Sequence, residues 1–165
     1  MSVQMPIDAA AIPMGANLVR DKSGATFRCW APRARDVWIS GDFNGWQRTE
    51  ASRLHRVGDH FLGFVAGAED GARYKFYVEG LGSAGFKRDP YARELTRDWP
   101  NSECVLRDPS TYDWHDDVRF EPPRFHDLVV YQLHVGVFNG PDRARRPATF
   151  LDLLGKLEYL RALGP

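Results

Sequence analysis

The stretch Gly41-Asp42-Phe43-Asn44-Gly45-Trp46 follows an apolar strand pattern and combines turn-forming residues with two aromatic side chains. Glycine, aspartate and asparagine tolerate positive φ angles and favour tight turns. We therefore expect the backbone to bend here and to fix Phe43 and Trp46 in defined positions. Because a tryptophan is not needed to close a turn, Trp46 is a candidate for ligand contact.

The segments on either side of this turn predict a mainly β fold. From Gly24 onward, short β-like segments alternate with turn residues, which is typical of a β-sandwich. In the clearest segment, Arg73 to Glu79, the two-residue period separates an apolar face from a face that carries Lys75 and Tyr77. The sandwich is expected to span residues 17–108, with predicted strands at residues 25–30, 36–40, 61–65, 73–79 and 103–106.

The remaining segments predict a boundary and a change of fold class. Residues 1–16 have no hydrophobic period and are expected to form a flexible leader, and residues 109–126 contain paired prolines and form a linker. The apolar run 128–138 predicts a strand covered on both faces. Thr149 is expected to cap a helix whose leucine stripe ends near Gly164. Residues 127–165 therefore resemble the first half of a βαβ unit.

Composition excludes some classes of partner. The chain has 165 residues, with 22 basic and 22 acidic side chains and no net charge. Without an overall field, binding to nucleic acid or to an anionic membrane is not expected. The two cysteines, Cys29 and Cys104, lack metal-ligand spacing and are expected to be free and buried. No secretory leader or membrane span is evident, so we expect a cytoplasmic protein.

Several motifs, in order, resemble the N-terminal sandwich of α-glucan branching enzymes and their debranching relatives. The matching motifs are Phe27–Pro32, Gly41–Trp46, Tyr74–Phe76, Asp89–Ala92 and Trp99–Ser102. In that family the sandwich is a family 48 carbohydrate-binding module with an immunoglobulin-like fold of the early set type. The motifs at 129–138, 149–150 and 157–164 are similar to the first strand and helix of the catalytic (β/α)8 barrel of the same α-amylase superfamily.

The resemblance implies binding without catalysis in this chain. Enzymes of the superfamily use a carboxylate pair on later barrel strands, so no catalytic residue is assigned and the 165-residue chain alone is expected to be inactive. Neither Asp127 nor His134 is promoted to that role, and His134 is interpreted as a packed, hydrogen-bonded side chain. No cofactor and no metal are expected. Branching enzyme is the first candidate for the parent protein, ahead of debranching enzymes and malto-oligosyltrehalose trehalohydrolases.

The resemblance also implies a carbohydrate-binding site at Trp46, Lys75, Phe86 and Asn101. Its ligands would be α-1,4-glucans: glycogen, starch or malto-oligosaccharides. Phe86 departs from the family pattern, since a tryptophan is usual there. The loop before it, residues 81–85, is longer and rich in glycine, which predicts weaker stacking.

Each site residue also has a structural interpretation. Trp46 would pack over the sandwich edge or against the barrel, Lys75 would be an ordinary outward strand lysine, and Asn101 would close a turn. The whole module would then brace the barrel without binding sugar. The other tryptophans, Trp30, Trp38, Trp99 and Trp114, are assigned to core or interdomain packing.

The apolar second segment predicts a further property. A strand and a helix stripe over residues 128–163 would expose large apolar surfaces in isolation. We expect the chain to be part of a larger enzyme whose remaining barrel covers them. In its absence, we expect self-association through residues 128–163 or partial disorder.

Overall fold

The computed structural model describes residues 2–4, 11–98, 100–113, 121–139 and 147–163. The chain divides into two compact units, residues 1–114 and 115–165. Each unit is described by itself below. No helix within the described ranges is long and apolar enough to cross a membrane.

The described part of the first unit consists of two five-stranded antiparallel sheets. The strands are β1 (Val3–Gln4), β2 (Gly15–Leu18), β3 (Gly24–Trp30), β4 (Ala34–Gly41), β5 (His55–Val57), β6 (His60–Ala66), β7 (Arg73–Gly80), β8 (Ser83–Lys87), β9 (Glu94–Leu95) and β10 (Cys104–Val105). In one sheet, β6 pairs with β3 on one side and with β1 and β5 on the other, while β2 pairs with β3. In the other sheet, β7 pairs with β4, β8 and β10, and β9 pairs with β10.

Alternation along the strands builds the core of this sandwich. Phe27 of β3, Val37 of β4 and Phe76 of β7 are almost fully buried, whereas their strand neighbours are more exposed. The Phe27 ring lies 5.4 Å from the ring of Tyr74, which is also buried. The predicted sandwich is thus confirmed, and each of the five predicted strand segments is present.

Two predictions about irregular segments are wrong. Residues 1–16 are not uniformly a flexible leader, because Val3–Gln4 pairs with Phe64 and Val65 and Gly15–Leu18 forms β2. Residues 81–85 are not a long loop, because Ser83–Lys87 is a strand paired with β7. Only Leu81 and Gly82 connect β7 to β8, and Gly82 adopts a φ angle of 80°, which glycine accepts without a steric penalty.

The second unit differs from its sequence prediction in one element. Residues 128–134 have no regular secondary structure, and Val135–Phe138 forms a short helix, α1, where a strand was predicted. A strand requires hydrogen-bonding neighbours, and no other strand occurs in the described residues of this unit. His134 precedes α1 and is exposed, so it is not packed in a strand.

The predicted helix is present as two short helices, α2 (Phe150–Leu154) and α3 (Leu157–Ala162). The Thr149 hydroxyl accepts a hydrogen bond from the Asp152 amide, and the Asp152 carboxylate accepts from the Thr149 amide at 2.7 Å. This reciprocal pair is a capping box. The expected stop at Gly164 lies outside the described residues.

Both cysteines are free and buried, as predicted. Burial raises the pKa of the Cys29 thiol to about 12. The Cys104 sulfur accepts a hydrogen bond from the Asp89 amide at 3.1 Å. A thiol with a raised pKa is a poor nucleophile, so both side chains serve packing.

Candidate functional site

The turn after β4 is closed by side chains from within the turn. The side-chain nitrogen of Asn44 donates a hydrogen bond to the Ile39 carbonyl at 2.9 Å, and the side-chain oxygen of Asn44 accepts one from the Gly41 main-chain amide at 3.0 Å. A Cβ atom at Gly41 would lie 2.3 Å from the Arg73 carbonyl oxygen, so only glycine fits there. Phe43 packs inward, with its ring 5.6 Å from that of Phe27. The predicted turn therefore separates its two aromatics, and Trp46 remains half-buried outside the core.

Trp46 has an unusual backbone conformation. Its φ angle is 62°, in the left-handed region that bulky residues rarely occupy. Its amide donates to the Gly41 carbonyl at 3.0 Å and its indole Nε1 donates to Asp42 Oδ1 at 3.0 Å. Left-handed backbone costs a residue with a Cβ atom about 1–2 kcal/mol. The turn thus holds the indole in place against a local conformational cost.

Asp42 is itself fixed by a neighbouring strand. The Arg73 amide and Nε donate to Asp42 Oδ2 at 2.9 and 3.1 Å, and an Arg73 terminal nitrogen donates to Oδ1 at 3.0 Å. The same guanidinium lies 3.2 Å from Glu103. Partial burial acts to raise the pKa of Asp42, but the Arg73 hydrogen bonds outweigh it and leave the pKa below its usual value. Asp42 is therefore ionised near neutral pH and accepts the indole hydrogen bond.

Lys75 and Asn101 are brought together. Lys75 lies on the outer face of β7, opposite Ser40 of β4, and its Nζ donates to the Asn101 main-chain oxygen at 2.7 Å. The Asn101 amide donates to the Asp98 carbonyl at 2.6 Å, which closes the turn before β10. Asn101 is exposed. Lys75 thus anchors this turn to the sheet and brings Asn101 beside the ammonium group.

Phe86 lies on a paired strand rather than in a glycine-rich loop. It is opposite Tyr77 in the β7–β8 pair, and the two rings meet edge to face with centroids 5.1 Å apart. Half of the Phe86 surface remains exposed. The weaker stacking that was predicted from a mobile loop therefore loses its structural basis. The smaller ring is still a departure from the usual tryptophan.

A row of aromatic residues beside Phe86 was missed by the sequence reasoning. Trp38, Tyr77 and Phe86 lie opposite one another across β4, β7 and β8, and the Trp38 and Tyr77 rings are 6.1 Å apart. The guanidinium of Arg48 lies 4.1 Å from the Tyr77 ring centroid. Because the Arg48 guanidinium covers one face of the Tyr77 ring, Phe86 is the most exposed ring of this row. Strand parity could have placed Trp38 here, since Val37 and Ile39 on either side are core residues.

The four predicted site residues thus occupy neighbouring elements. Trp46 follows β4, Lys75 is in β7, Phe86 is in β8 and Asn101 precedes β10. Since β4, β8 and β10 all pair with β7, Lys75 lies on the central strand of these four and the other three residues lie on or beside the strands that pair with it. A set of three or more histidine, cysteine or acidic side chains able to hold a metal ion does not occur among the described residues. An aromatic ring can stack on the apolar face of a sugar, and a lysine and an amide side chain nearby can form hydrogen bonds with the sugar's hydroxyl groups.

Comparison with known protein families gives a direct match to this sandwich. Residues 13–92 match the family model described as carbohydrate-binding module 48, the isoamylase N-terminal domain. This range includes the turn at Trp46, all of β7 and all of β8. Residues 13–92 belong to the family 48 carbohydrate-binding modules. The resemblance of the motifs is thereby confirmed.

The curated relatives that match most of this chain include branching enzymes. The chain is 32% identical over 139 residues to 1,4-alpha-glucan branching enzyme GlgB 1 of Clostridium perfringens strain 13, covering 78% of this chain and 20% of the relative. It is 33% identical over 150 residues to the branching enzyme GlgB of Bordetella parapertussis, covering 86% of this chain and 20% of that protein. The chain thus spans about a fifth of the length of the curated relatives it matches.

Solved structures show the same fold. A provisionally named alpha amylase from Salmonella typhimurium matches 92% of this chain, and 23% of its own, with a TM-score of 0.69 and 26% identity. The pullulanase SAP of Group B Streptococcus in complex with maltotetraose matches 94% of this chain and 23% of its own, with a TM-score of 0.65 and 22% identity. The fold of this chain is therefore similar to that of about a quarter of each of these longer proteins.

Proposed function

We propose that the sandwich, which includes the family 48 module, binds α-1,4-glucan chains, such as glycogen, starch or malto-oligosaccharides, through Trp46, Lys75, Phe86 and Asn101. In this proposal the module holds and orients the glucan for an α-glucan-active enzyme, with 1,4-α-glucan branching enzyme as the parent protein. The match of residues 13–92 to the module family and the branching enzymes among the relatives support it.

The observation that carries the proposal is the conformation of Trp46. A bulky residue at a φ angle of 62° is an outlier, and such outliers cluster where function requires a side chain in a fixed place. The Asp42 and Arg73 hydrogen bonds hold the indole without burying it in the core. A prepositioned aromatic ring loses little conformational entropy when a sugar stacks on it.

The other three residues supply complementary contacts. The Lys75 ammonium has three donors, and the Asn101 carbonyl uses one of them, which leaves two for sugar hydroxyl groups. The exposed half of the Phe86 ring offers a second apolar surface. Because these residues surround β7, one glucan segment lying across that strand would meet them in succession.

The second unit has a different role in this proposal. Residues 127–165 are the beginning of the catalytic barrel, and the rest of the barrel carries the catalytic carboxylates. No chemical step is assigned to residues of this chain. The enzyme's bond specificity and products belong to the parent protein.

A structural role is the second candidate, and a specific observation favours it. Lys75 already bonds Asn101, and Phe86 already packs on Tyr77, so both residues have structural partners without a sugar. A module of this kind would brace the barrel and would not bind glucan.

Affinity electrophoresis in a glycogen-containing gel tests the two candidates. We expect glycogen to retard the wild-type chain, and Trp46→Ala to lose most of this retardation. Loss of an aromatic anchor costs about 2 kcal/mol of binding free energy, which is about thirty-fold in Kd. Lys75→Ala should reduce retardation less, because it removes one polar contact.

Lys87→Ala is the matched control, since Lys87 is an exposed lysine next to Phe86. Because each lysine substitution removes one positive charge, the mobility of every variant with glycogen is divided by its own mobility without glycogen, and this ratio should be the same for Lys87→Ala as for the wild type. Equal mobility of the wild type with and without glycogen would exclude the binding role and leave the structural one.

A further inference from the structure

A separate cleft lies in the same unit, between strands β3 and β6 of the other sheet and the segment that follows β8. It is a cavity of about 320 Å³ where the end of β3 meets the start of β6, and Trp30 pairs there with His60. This volume is at the lower end of the roughly 300–1,000 Å³ that is usual for small-ligand sites. The lining residues are Met14, Cys29, Trp30, His60, Asp89, Pro90 and Tyr91. We refer to it as the Trp30–Tyr91 cleft.

The two aromatic residues of this cleft are exposed. Trp30 is 63% exposed and Tyr91 is 57% exposed, so of the two predicted roles of Trp30, core packing is wrong and interdomain packing stays a prediction. By contrast, Phe27 of β3, Phe61 of β6 and Phe76 of β7 are at most 2% exposed. The sandwich therefore closes its core without Trp30 and Tyr91. Two large exposed rings beside one cavity are typical of a site that stacks on a ligand.

The position of Tyr91 is fixed by its surroundings. The buried Asp89 carboxylate accepts hydrogen bonds from the Tyr91 main-chain amide at 2.8 Å and from the Tyr74 hydroxyl at 2.7 Å. Gly15 has a φ angle of 81°, and a Cβ atom there would lie 2.7 Å from the Tyr91 Cβ. Any larger residue at position 15 would displace Tyr91. The cleft is therefore built in advance, as expected of a binding site.

The chemistry of the lining selects the ligand. Stacking rings favour the C–H face of a pyranose, and the His60 imidazole offers a donor or an acceptor to a hydroxyl group. The carboxylate of Asp89 on the same wall disfavours an anion. A neutral sugar satisfies all three conditions, whereas a phosphate or a carboxylate ligand does not.

We propose that the Trp30–Tyr91 cleft is a second α-glucan site that holds one glucose unit of a chain. The inference rests on the proposed function for its choice of sugar, but it uses separate residues. Trp30 belongs to β3, whereas the Trp46 site surrounds β7. Two sites on one module would let it hold two segments of a glucan, or two chains, and would strengthen binding to polymers over short oligosaccharides.

Nuclear magnetic resonance of the 15N-labelled 165-residue chain tests this inference with maltotriose as the probe. The indole signals of Trp30 and Trp46 are assigned from Trp30→Phe and Trp46→Phe. We expect both signals to shift with maltotriose in the wild type. The Trp30 signal should still shift in Trp46→Ala, and the Trp46 signal should still shift in Trp30→Ala. Tyr91→Ala should weaken maltotriose binding at Trp30 by about tenfold, with no change at Trp46.

The outcomes separate the two proposals. A Trp30 signal that does not move at saturating maltotriose, while that of Trp46 does, overturns the second site and leaves the first. Movement of Trp30 alone supports the cleft and overturns the Trp46 site. Movement of neither signal overturns both. The wild-type titration needs no substitution, so a variant that fails to fold does not affect it.

Discussion

The two units of this chain use the same kinds of apolar residue with opposite results. In the sandwich, Phe27, Val37 and Ile39 are completely buried between two sheets. In the second unit, Val129, Val130 and Phe150 are each at least 75% exposed, and Ala148 is the buried apolar residue among those described. The difference shows that an apolar pattern alone does not create a core. It does so only when a second apolar face is available to cover it.

The sandwich has such a face within its own sequence. Some of its strands pair with the next strand in the chain, as β7 does with β8, and others pair with distant strands, as β3 does with β6 and β4 does with β7. The predicted strand at 128–138 was of the kind that needs parallel partners on both sides. The described residues of the second unit contain none, and short helices form there instead, with local structure such as the capping box at Thr149 and Asp152.

The largest expected effect on stability comes from comparing an alanine substitution at a buried apolar residue with one at an exposed apolar residue. Phe27→Ala removes a fully buried ring that touches Phe43 and Tyr74, and should lower the free energy of unfolding by about 3–5 kcal/mol. Val129→Ala, at an 80% exposed position, should change it by less than about 0.5 kcal/mol. Urea denaturation followed by circular dichroism measures both. Comparable losses would mean that the second unit has a core of its own.

The contrast between the two units also explains which strands could be predicted from the sequence. The strands at β3, β4, β6 and β7 were found because each combines a two-residue period with turn residues at its ends. Strand β8 was missed because Ser83, Ala84 and Gly85 have low strand propensity, and the strand exists through its pairing with β7. The run at 128–138 was misassigned because its pattern gives no information about its neighbours.

The candidate site shows the same limit. The turn at Trp46 was predicted because its residues form it locally. The bond from Lys75 to the Asn101 carbonyl and the placement of Phe86 on Tyr77 depend on how distant segments meet, which residue types alone do not reveal. Likewise, the exposure of Trp30 follows from the position of a strand end rather than from its sequence.

The buried carboxylate of Asp89 gives the next largest effect. Asp89→Ala leaves the buried Tyr74 hydroxyl without its acceptor, at a cost of about 1–3 kcal/mol. Burial is the main cause of a pKa of Asp89 above 3.8, and the Tyr91 and Tyr74 hydrogen bonds only partly oppose it. The stability that the protonated acid contributes is therefore complete below about pH 3.8 and is lost as the pH rises through the raised value.

The pH dependence separates this effect from simple loss of packing. Asp89→Asn cannot ionise, so its stability relative to wild type should improve as the pH rises from about 3 to 7. Urea midpoints at the two pH values measure the change. A wild type that gains stability relative to Asp89→Asn over this range would contradict the raised pKa.

A smaller effect is expected in the second unit. Thr149→Ala removes the capping hydroxyl of α2, which costs a helix about 1 kcal/mol. We expect lower helical circular dichroism with no change in the urea midpoint of the sandwich. Thr149→Ser, which keeps the hydroxyl, is the matched control and should resemble wild type. A shifted sandwich midpoint in Thr149→Ala alone would show that the two units unfold together.

The most direct measurement compares Trp46→Gly with Trp46→Ala for both stability and retardation by glycogen. Both variants lose the indole, but only glycine is free of strain at a φ angle of 62°. We predict that Trp46→Gly is more stable than Trp46→Ala by about 1 kcal/mol, and that neither is retarded by glycogen as the wild type is. Equal stability of the two variants, or wild-type retardation of either one, would contradict the claim that this turn holds Trp46 in a strained conformation in order to bind a glucan.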